Sequence, residues 1–447
     1  MARPAAQYAC SDCGYSAGRW FGKCPGCGSF GTLAEEAPQA TSPRREARPL
    51  LKLVEVEVEE AARITTGVAE LDRVLGGGLV PASLVLVGGE PGVGKSTLLL
   101  SALAAMSQKQ RVLLVTGEES ASQVKLRAAR LGGAENVEIL AETELETVCV
   151  TLERELPAVC VVDSVQTLYS AEIGSAPGSV AQVREAASRL LRIAKELGIA
   201  ILLVGHVTKD GSVAGPRVLE HLVDCVLQFE GDRFNAHRIL RAVKNRFGST
   251  NELGVFEMTG TGLVGVPNPS ALFGQSTPGE IGAAVACALE GTRPIVLEIQ
   301  ALVSPTDLAM PRRVGTGVDP KRLAMIVAVC SRHAGIALAG ADVFVNVAGG
   351  LRVDEPGVDL AVALAIASAA KGVAALPETA AIGEIGLTGR LRTAAQMDRR
   401  LDECAELGLG AVVAPAGTGG RGKLRILQAE NLRQAIVTGL HADRQRA

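Results

Sequence analysis

At 447 residues the chain has room for two or three domains, each burying its own core. Hydrophobic residues make up 47% and aromatics only 3%, so the cores must rest on Ala, Val, Leu and Ile, a composition suited to helices packed on buried parallel strands. A net charge of −3 and a pI near 6.1 exclude a bulk polycation, so any nucleic-acid contact has to come from local patches.

Residues 1–33 form a small module rich in Cys and Gly. Cys10-x2-Cys13 and Cys24-x2-Cys27 are two knuckles ten residues apart, and two such turns complete a tetrahedral all-thiolate site for Zn2+. Gly14 and Gly28 follow the second cysteine of each pair, where a tight knuckle needs positive φ. A pair of disulfides is the competing reading. The start, MARPAAQYAC, carries no apolar stretch of a secretory signal, which favours zinc and a reducing, cytoplasmic location. Four protein ligands leave no open position, so this metal would fold the module and catalyse nothing. Trp20 and Phe21 lie between the knuckles, either plugging the mini-core or facing a partner. The other six cysteines (Cys149, Cys160, Cys225, Cys287, Cys330, Cys404) sit in apolar runs and read as small buried hydrophobes.

Residues 34–49 are a linker of Ala, Pro and mixed charge. From 50 to 270 short β-branched runs alternate with helical patterns. Strands are predicted at 83–88, 111–116, 158–163 and 199–205, and helices at 96–107, 120–131, 144–155 and 180–197. That alternation is the mark of an α/β fold with a mostly parallel sheet. The runs 223–230, 237–243 and 252–258 read as antiparallel additions at one edge. Pro267, Pro269 and Pro278 mark a boundary, and 271–447 form a further domain. Its uncharged run near 360–370 is too short to span a bilayer, so no membrane role is expected.

The segment Gly89-Glu90-Pro91-Gly92-Val93-Gly94-Lys95-Ser96-Thr97 matches G-x4-G-K-[ST] between a predicted strand and a predicted helix. Its backbone N–H groups and the helix N-terminus would cradle the phosphates of ATP. Lys95 would reach the β- and γ-phosphates, and Ser96 would ligate Mg2+. Asp163 ends the apolar run Val159–Asp163, where a carboxylate holds the magnesium shell. Glu118 and Glu119 end another predicted strand, and one of them, Glu118 ahead of Glu119, would orient the attacking water. A helix N-cap by Ser120 competes for that segment.

A glutamate pair after the second strand resembles the RecA and DnaB branch of P-loop ATPases. Thr66–Leu79 is similar to the leading segment of RecA-type cores, and Lys244-Asn245-Arg246-Phe247-Gly248 is the KNRFG motif of the bacterial RadA (Sms) family. With the four-cysteine module and the C-terminal region, the resemblance to RadA covers essentially the whole chain. It implies a RecA-type ATPase core flanked by a zinc ribbon and an α+β domain like the Lon protease. It also implies a homo-hexameric ring that binds single-stranded and branched DNA and drives branch migration as a helicase. RecA recombinase, and a replicative helicase, are the implied protein partners, with roles in recombination, DNA repair and the stress response. By this resemblance Lys244 and Arg246 reach a neighbour's γ-phosphate or the DNA, and His206 is the sensor of nucleotide state. Two stretches rich in Gly, Ser and Pro, 170–184 and 209–219, carry Arg184, Lys209 and Arg217 and could line a pore. One departure stands out. RadA chains usually read Pro-Gly-Ser before the phosphate-loop strand, and here it is Pro81-Ala82-Ser83.

Residues 341–408 resemble the proteolytic domain of Lon, but Gly357 falls at the serine position and Asp398 at the lysine position. Neither can act as nucleophile or amine base, so no peptidase activity is expected. Arg312, Arg313, Lys321, Arg322, Arg390, Arg392, Arg399 and Arg400 would give that domain a basic face able to guide duplex DNA. The competing functions are a protein-remodelling ATPase like KaiC, an ATP-dependent protease and a filament-forming recombinase. DNA-stimulated hydrolysis separates the first of these from a DNA motor.

Overall fold

The computed structural model describes residues 7–36, 63–206, 219–231, 237–274 and 279–440. They fall into two compact units, one ending at Gly265 and the other starting at Val266.

The first unit opens with a three-stranded antiparallel sheet of β1 (Gln7–Cys10), β2 (Ser16–Ala17) and β3 (Leu33–Glu36), in the order β2-β1-β3. Its buried core is three side chains, Cys10, Cys24 and Leu33, with Tyr8 and Phe21 packed against them. Of the two aromatics between the knuckles, Phe21 plugs this core and Trp20 stays exposed.

The rest of the unit runs α1 (Ala69–Leu75), β4 (Leu84–Gly89), α2 (Lys95–Met106), β5 (Val112–Thr116), α3 (Ala121–Leu131), β6 (Glu138–Ala141) and α4 (Leu145–Glu155). It continues through β7 (Val159–Asp163), α5 (Val180–Leu197), β8 (Ala200–His206), β9 (Cys225–Glu230), β10 (His237–Asn245), β11 (Leu253–Thr259) and β12 (Gly262–Gly265). These strands form one sheet in the order β12-β11-β10-β9-β4-β8-β7-β5-β6. Every residue of β4, β5 and β7 is buried, because helices cover both faces. Val85 and Val87 join one core layer with α2, whereas Leu84 and Leu86 join the other with α4 and α5. Ser120 and Ser179 cap α3 and α5 by accepting the backbone N–H three residues on.

One edge differs from expectation. β9 is not an antiparallel addition but runs parallel beside β4, and only β10, β11 and β12 are antiparallel. The burial patterns give the reason. Cys225, Val226 and Leu227 are buried in succession, as in a central strand, whereas β10 alternates between buried and half-buried positions. Strand β6 was missed because its four residues expose every second side chain.

Ala82 adopts φ +60°, a left-handed conformation that costs an L-residue about 1–2 kcal/mol. Its N–H donates to Gly198 O at 3.2 Å, which holds the turn into β4. Ala82→Gly is therefore expected to stabilise the protein by about 0.5–1 kcal/mol, after allowing for glycine's freer unfolded chain. Urea unfolding reads the change.

The second unit contains α6 (Pro269–Phe273), β13 (Ala283–Glu290), β14 (Arg293–Pro305), β15 (Arg313–Thr316), α7 (Pro320–Ala334), β16 (Ala341–Val347) and α8 (Asp359–Lys371). Then come β17 (Thr379–Ala381), β18 (Glu384–Ile385), β19 (Leu391–Arg392), α9 (Met397–Glu406), β20 (Ala411–Pro415), β21 (Arg425–Ala429) and α10 (Leu432–Gly439). A mixed seven-stranded sheet has the order β15-β16-β14-β13-β17-β20-β21, and β18 pairs with β19 separately. The guanidinium of Arg293 donates to Pro267 O at 2.7 Å, tying the first residues of this unit to β14. That contact draws residues 266–270, read from sequence as the end of the preceding domain, into the second unit. Helix α8 is buried at every position from Asp359 to Ser368, which explains the uncharged run that starts at Leu360 as that of a central core helix. Among the described residues no helix is long and apolar enough to cross a membrane.

Candidate functional site

The phosphate loop joins β4 to α2. Gly94 caps the helix at φ +112°, and a Cβ there would lie 2.9 Å from Leu263 Cδ1. A Cβ at Gly89 would meet Phe229 O at 2.5 Å, so neither position admits a side chain without movement. Glu90, Pro91 and Gly92 form the exposed crown, Val93 anchors the loop in the core, and Ser96 and Thr97 are half-buried in the first turn of α2. Lys95 is 4% exposed, and its ammonium donates to Gly89 O at 2.7 Å and Glu90 O at 3.0 Å. Burial pulls its pKa below the ordinary value, and the charges of Asp163 and Glu118 oppose that shift.

Asp163 ends β7 and is 7% exposed. Its carbonyl accepts from Gly117 N at 3.0 Å, which docks the turn after β5 beside it. A Cβ on Gly117 would come within 2.1 Å of Thr167 Oγ1, so the close docking of that turn requires glycine. The two glutamates of the turn part company. Glu118 Oε1 accepts from Ser164 Oγ at 2.6 Å, next to Asp163. Glu119 turns away to pair with Arg127 on α3, while Ser120 and Gln123 form a capping box. Ser164 was not singled out from sequence, although its place directly after Asp163 was the available signal. His206 closes β8 with its backbone paired beside Gly89, and its side chain lies outside the described residues.

Lys244 and Arg246 lie at the other end of the sheet. Gly89 pairs with Phe229, whereas Lys244 pairs with Val226 and Asn245 with Cys225, three or four residues earlier on β9. At the rise of a β-strand this is roughly 10 Å from the loop along the sheet. Lys244 Nζ donates to Glu220 O at 2.6 Å and Val223 O at 2.8 Å. Arg246 pairs at 3.0 Å with Asp224, a 2% exposed carboxylate that also holds Lys195 and the N–H of Leu84. Sequence reading missed Asp224 as the anchor of this turn. Asn245 Nδ2 donates to Leu75 O at 3.3 Å, and Arg63 clasps the same turn through Phe247 O.

The four cysteine sulfurs of the ribbon lie within 4.8 Å of one another, and none is in a disulfide. Cys10–Cys27 and Cys13–Cys24 sulfur distances are 3.7 and 3.6 Å. Tetrahedral zinc with bonds of about 2.3 Å sets its sulfurs about 3.8 Å apart, so this donor set fits the ion. Gly14 and Gly28 have φ of +71° and +77°, as the knuckles require. The Thr32 hydroxyl lies 3.1 Å from Cys10 Sγ and can steady that thiolate.

Family models match three stretches: an AAA domain over residues 47–212, a rubredoxin metal binding domain over 8–35, and subunit ChlI of Mg-chelatase over 321–418. DNA repair protein RadA of Halalkalibacterium halodurans is 49% identical over 427 residues, covering 93% of both chains. DNA repair protein RadA of Bacillus subtilis is 45% identical, covering 98% of this chain and 100% of that one. The counterpart from Brucella abortus is 47% identical over 94% of this chain and 93% of its own. The chain belongs to the RadA family. As the resemblance of its motifs implied, it combines a P-loop ATPase domain of RecA type with a zinc ribbon and a C-terminal ChlI/Lon-like domain.

In this RadA chain the Lon-like serine position is closed as well as empty of a hydroxyl. A Cβ on Gly357 would lie 2.7 Å from Glu355 Oε2 and 2.8 Å from Arg400 Nη1. Arg400 is fully buried and bidentate to Glu355 at 2.6 and 2.9 Å, while Asp398 is exposed in the first turn of α9. Gly357→Ser is accordingly expected to destabilise by about 1–3 kcal/mol through overpacking and to restore no peptidase activity. Thermal unfolding and a casein assay read the two outcomes. The supposed basic face also needs correction, because Arg400 is in the core and Arg322 is paired with buried Asp359.

The stretch 170–184, rich in Gly, Ser and Pro, is pinned. Gln182 is 2% exposed and its amide bonds Ser170 N and O, Ile173 O and Ser175 O at 2.8–3.1 Å. Arg184 is exposed on α5. Lys209 and Arg217 lie outside the described residues, as do most of the 34–49 linker and the 209–219 stretch.

Proposed function

We propose that this RadA-family protein is an ATP-driven DNA motor of recombination and repair: a single-stranded-DNA-stimulated ATPase and branch-migration helicase that processes recombination intermediates with RecA. The observation that carries the reading is the separation of its two charged sites. Lys95, Asp163 and the Glu118–Ser164 pair converge at one mouth of the sheet, and the KNRFG cations sit at the other. Lys244 and Arg246 therefore serve a neighbour's nucleotide, which makes each site an interface and the working form a closed ring, a homo-hexamer by family resemblance.

At the mouth, the N–H groups of Glu90 and of residues 92–95, together with the dipole of α2, bind the phosphates of ATP. Lys95 exchanges its two carbonyl acceptors for β- and γ-phosphate oxygens. Ser96 and Asp163 offer the hard oxygen donors that suit Mg2+, which when bound neutralises phosphate charge. Glu118, oriented by Ser164, positions the attacking water. His206, at the tip of β8, relays nucleotide state to the DNA-binding residues. The zinc module takes in β3 up to Glu36, the motor ends at Gly265, and the chain from Val266 on is a proteolytically inactive scaffold.

Glu118→Gln is expected to lower ATP turnover about a hundredfold or more, whereas Glu119→Gln stays within severalfold of the parent. Steady-state phosphate release distinguishes them, and the reverse order would move the role to Glu119. The motor activity itself is tested on a three-stranded joint molecule with a labelled invading strand. ATP-dependent extension of the joint supports the reading, and ATP turnover with no movement of the branch refutes the helicase part of it.

A further inference from the structure

The chain has twelve aromatic side chains in 447 residues, and five of them lie between Tyr8 and Phe30. Tyr8 and Phe21 pack on the ribbon's small core. Tyr15, Trp20 and Phe30 are 40%, 58% and 77% exposed, and no other aromatic among the described residues is exposed. Among the described residues, an aromatic-poor protein thus concentrates its solvent-facing rings on one small module, which its own core does not require.

These rings are held and flanked by cations. The Trp20 indole N–H donates to Leu33 O at 3.1 Å, which fixes the ring in its outward pose. Lys23 and Phe30 face each other across a β-bridge, and the ammonium lies 5.3 Å from the Phe30 ring centre. The neighbouring Gly22 sits under the Trp20 ring, since a Cβ there would be 3.6 Å from it. Arg19 lies 4.8 Å from the Phe21 ring centre with its guanidinium exposed. Asp12 is the ribbon's one carboxylate among the described side chains, and it accepts from Ser11.

We propose that the exposed rings of the ribbon are a stacking platform for unpaired bases of single-stranded nucleic acid. Trp20 and Phe30 each take a base, and Lys23 and Arg19 take the adjoining phosphates. Exposed rings interleaved with cations, Lys23 over Phe30 and Arg19 over the neighbouring Phe21, suit a sequence-tolerant strand. Protein interfaces deplete lysine, which here lies over Phe30, and every exposed Leu, Ile, Val and Met among the described residues lies outside the ribbon. The proposal rests on the reading of DNA as the motor's substrate and adds a second contact remote in sequence from the phosphate loop.

Trp20 is the chain's single tryptophan, so the emission of the full-length, zinc-loaded protein reports on this ring alone. The protein is titrated with a short oligothymidylate while binding is followed independently by anisotropy of the labelled strand. The expected result is saturable quenching of Trp20 emission in step with binding. Phe30→Ala, checked for retained zinc, should weaken the affinity read at Trp20 about fivefold or more, the low end for one lost stack. Lys23→Ala and Arg19→Ala should each reduce the salt slope by about 0.7. Binding by anisotropy with Trp20 emission unchanged overturns the platform and leaves the DNA motor standing. Absence of any binding overturns both. Quenching by an acidic leucine-containing peptide but not by the strand assigns the rings to a protein and overturns the proposal.

Discussion

Lys244→Ala and Arg246→Ala are each expected to cut ATP turnover of the assembled protein by about a thousandfold or more, the scale of a cation supplied in trans to a phosphoryl-transfer site. Nucleotide affinity of the separate subunit should change little, because neither side chain approaches its own phosphate loop. The resting contacts of the two cations differ in what their loss leaves behind. Lys244 caps the carbonyls of Glu220 and Val223, which water can satisfy, and Asp224 retains Lys195 when Arg246 is removed. Folding is therefore expected to survive both changes. Subunits carrying Lys244→Ala and subunits carrying Lys95→Ala, mixed before assembly, should recover activity at the interfaces that join an intact loop to an intact finger. Mixtures no more active than either parent would place both residues in cis or outside the reaction.

Glu355→Ala is expected to cost about 3–5 kcal/mol in the second unit, because it leaves the Arg400 guanidinium buried without a counter-charge. Glu355 also accepts from the N–H groups of Leu289 and Gly357, so three residues lose their shared acceptor. For a unit of this size the melting temperature should fall on the order of 10 °C, measured by circular dichroism. Replacing both partners, Glu355→Leu with Arg400→Met, should recover much of the loss, because no unpaired charge remains. A single variant that melts with the parent would show that the pair is not what fills the former catalytic position.

Much of the ATPase core was legible because its signals are local. A buried parallel strand reads as an unbroken apolar run, and its helices announce their starts with Ser120 and Ser179 and their ends with Gly132 and Gly198. The cysteine knuckles fix their own geometry over a few bonds. What stayed hidden depends on contacts distant in sequence. Whether β9 joins β4 or only β10 is decided by which strand it buries against, and the apolar run alone is compatible with both. Gln182 is an ordinary helical residue until its amide is seen to hold the turn from Ser170 to Ser175. Arg400 reads as one more surface arginine, yet Glu355, 45 positions earlier, draws it into the core. Which of two adjacent glutamates faces the phosphate loop turned on partners at Ser164 and Arg127.

The most direct test is ATP turnover with and without single-stranded DNA, beside Lys95→Ala as the control for the phosphate loop. Strong stimulation by DNA, abolished in Lys95→Ala and in Lys244→Ala alike, is the expected result for a DNA motor with shared sites. Turnover lost in Lys95→Ala but indifferent to DNA would contradict it, leaving an ATPase whose substrate is another protein.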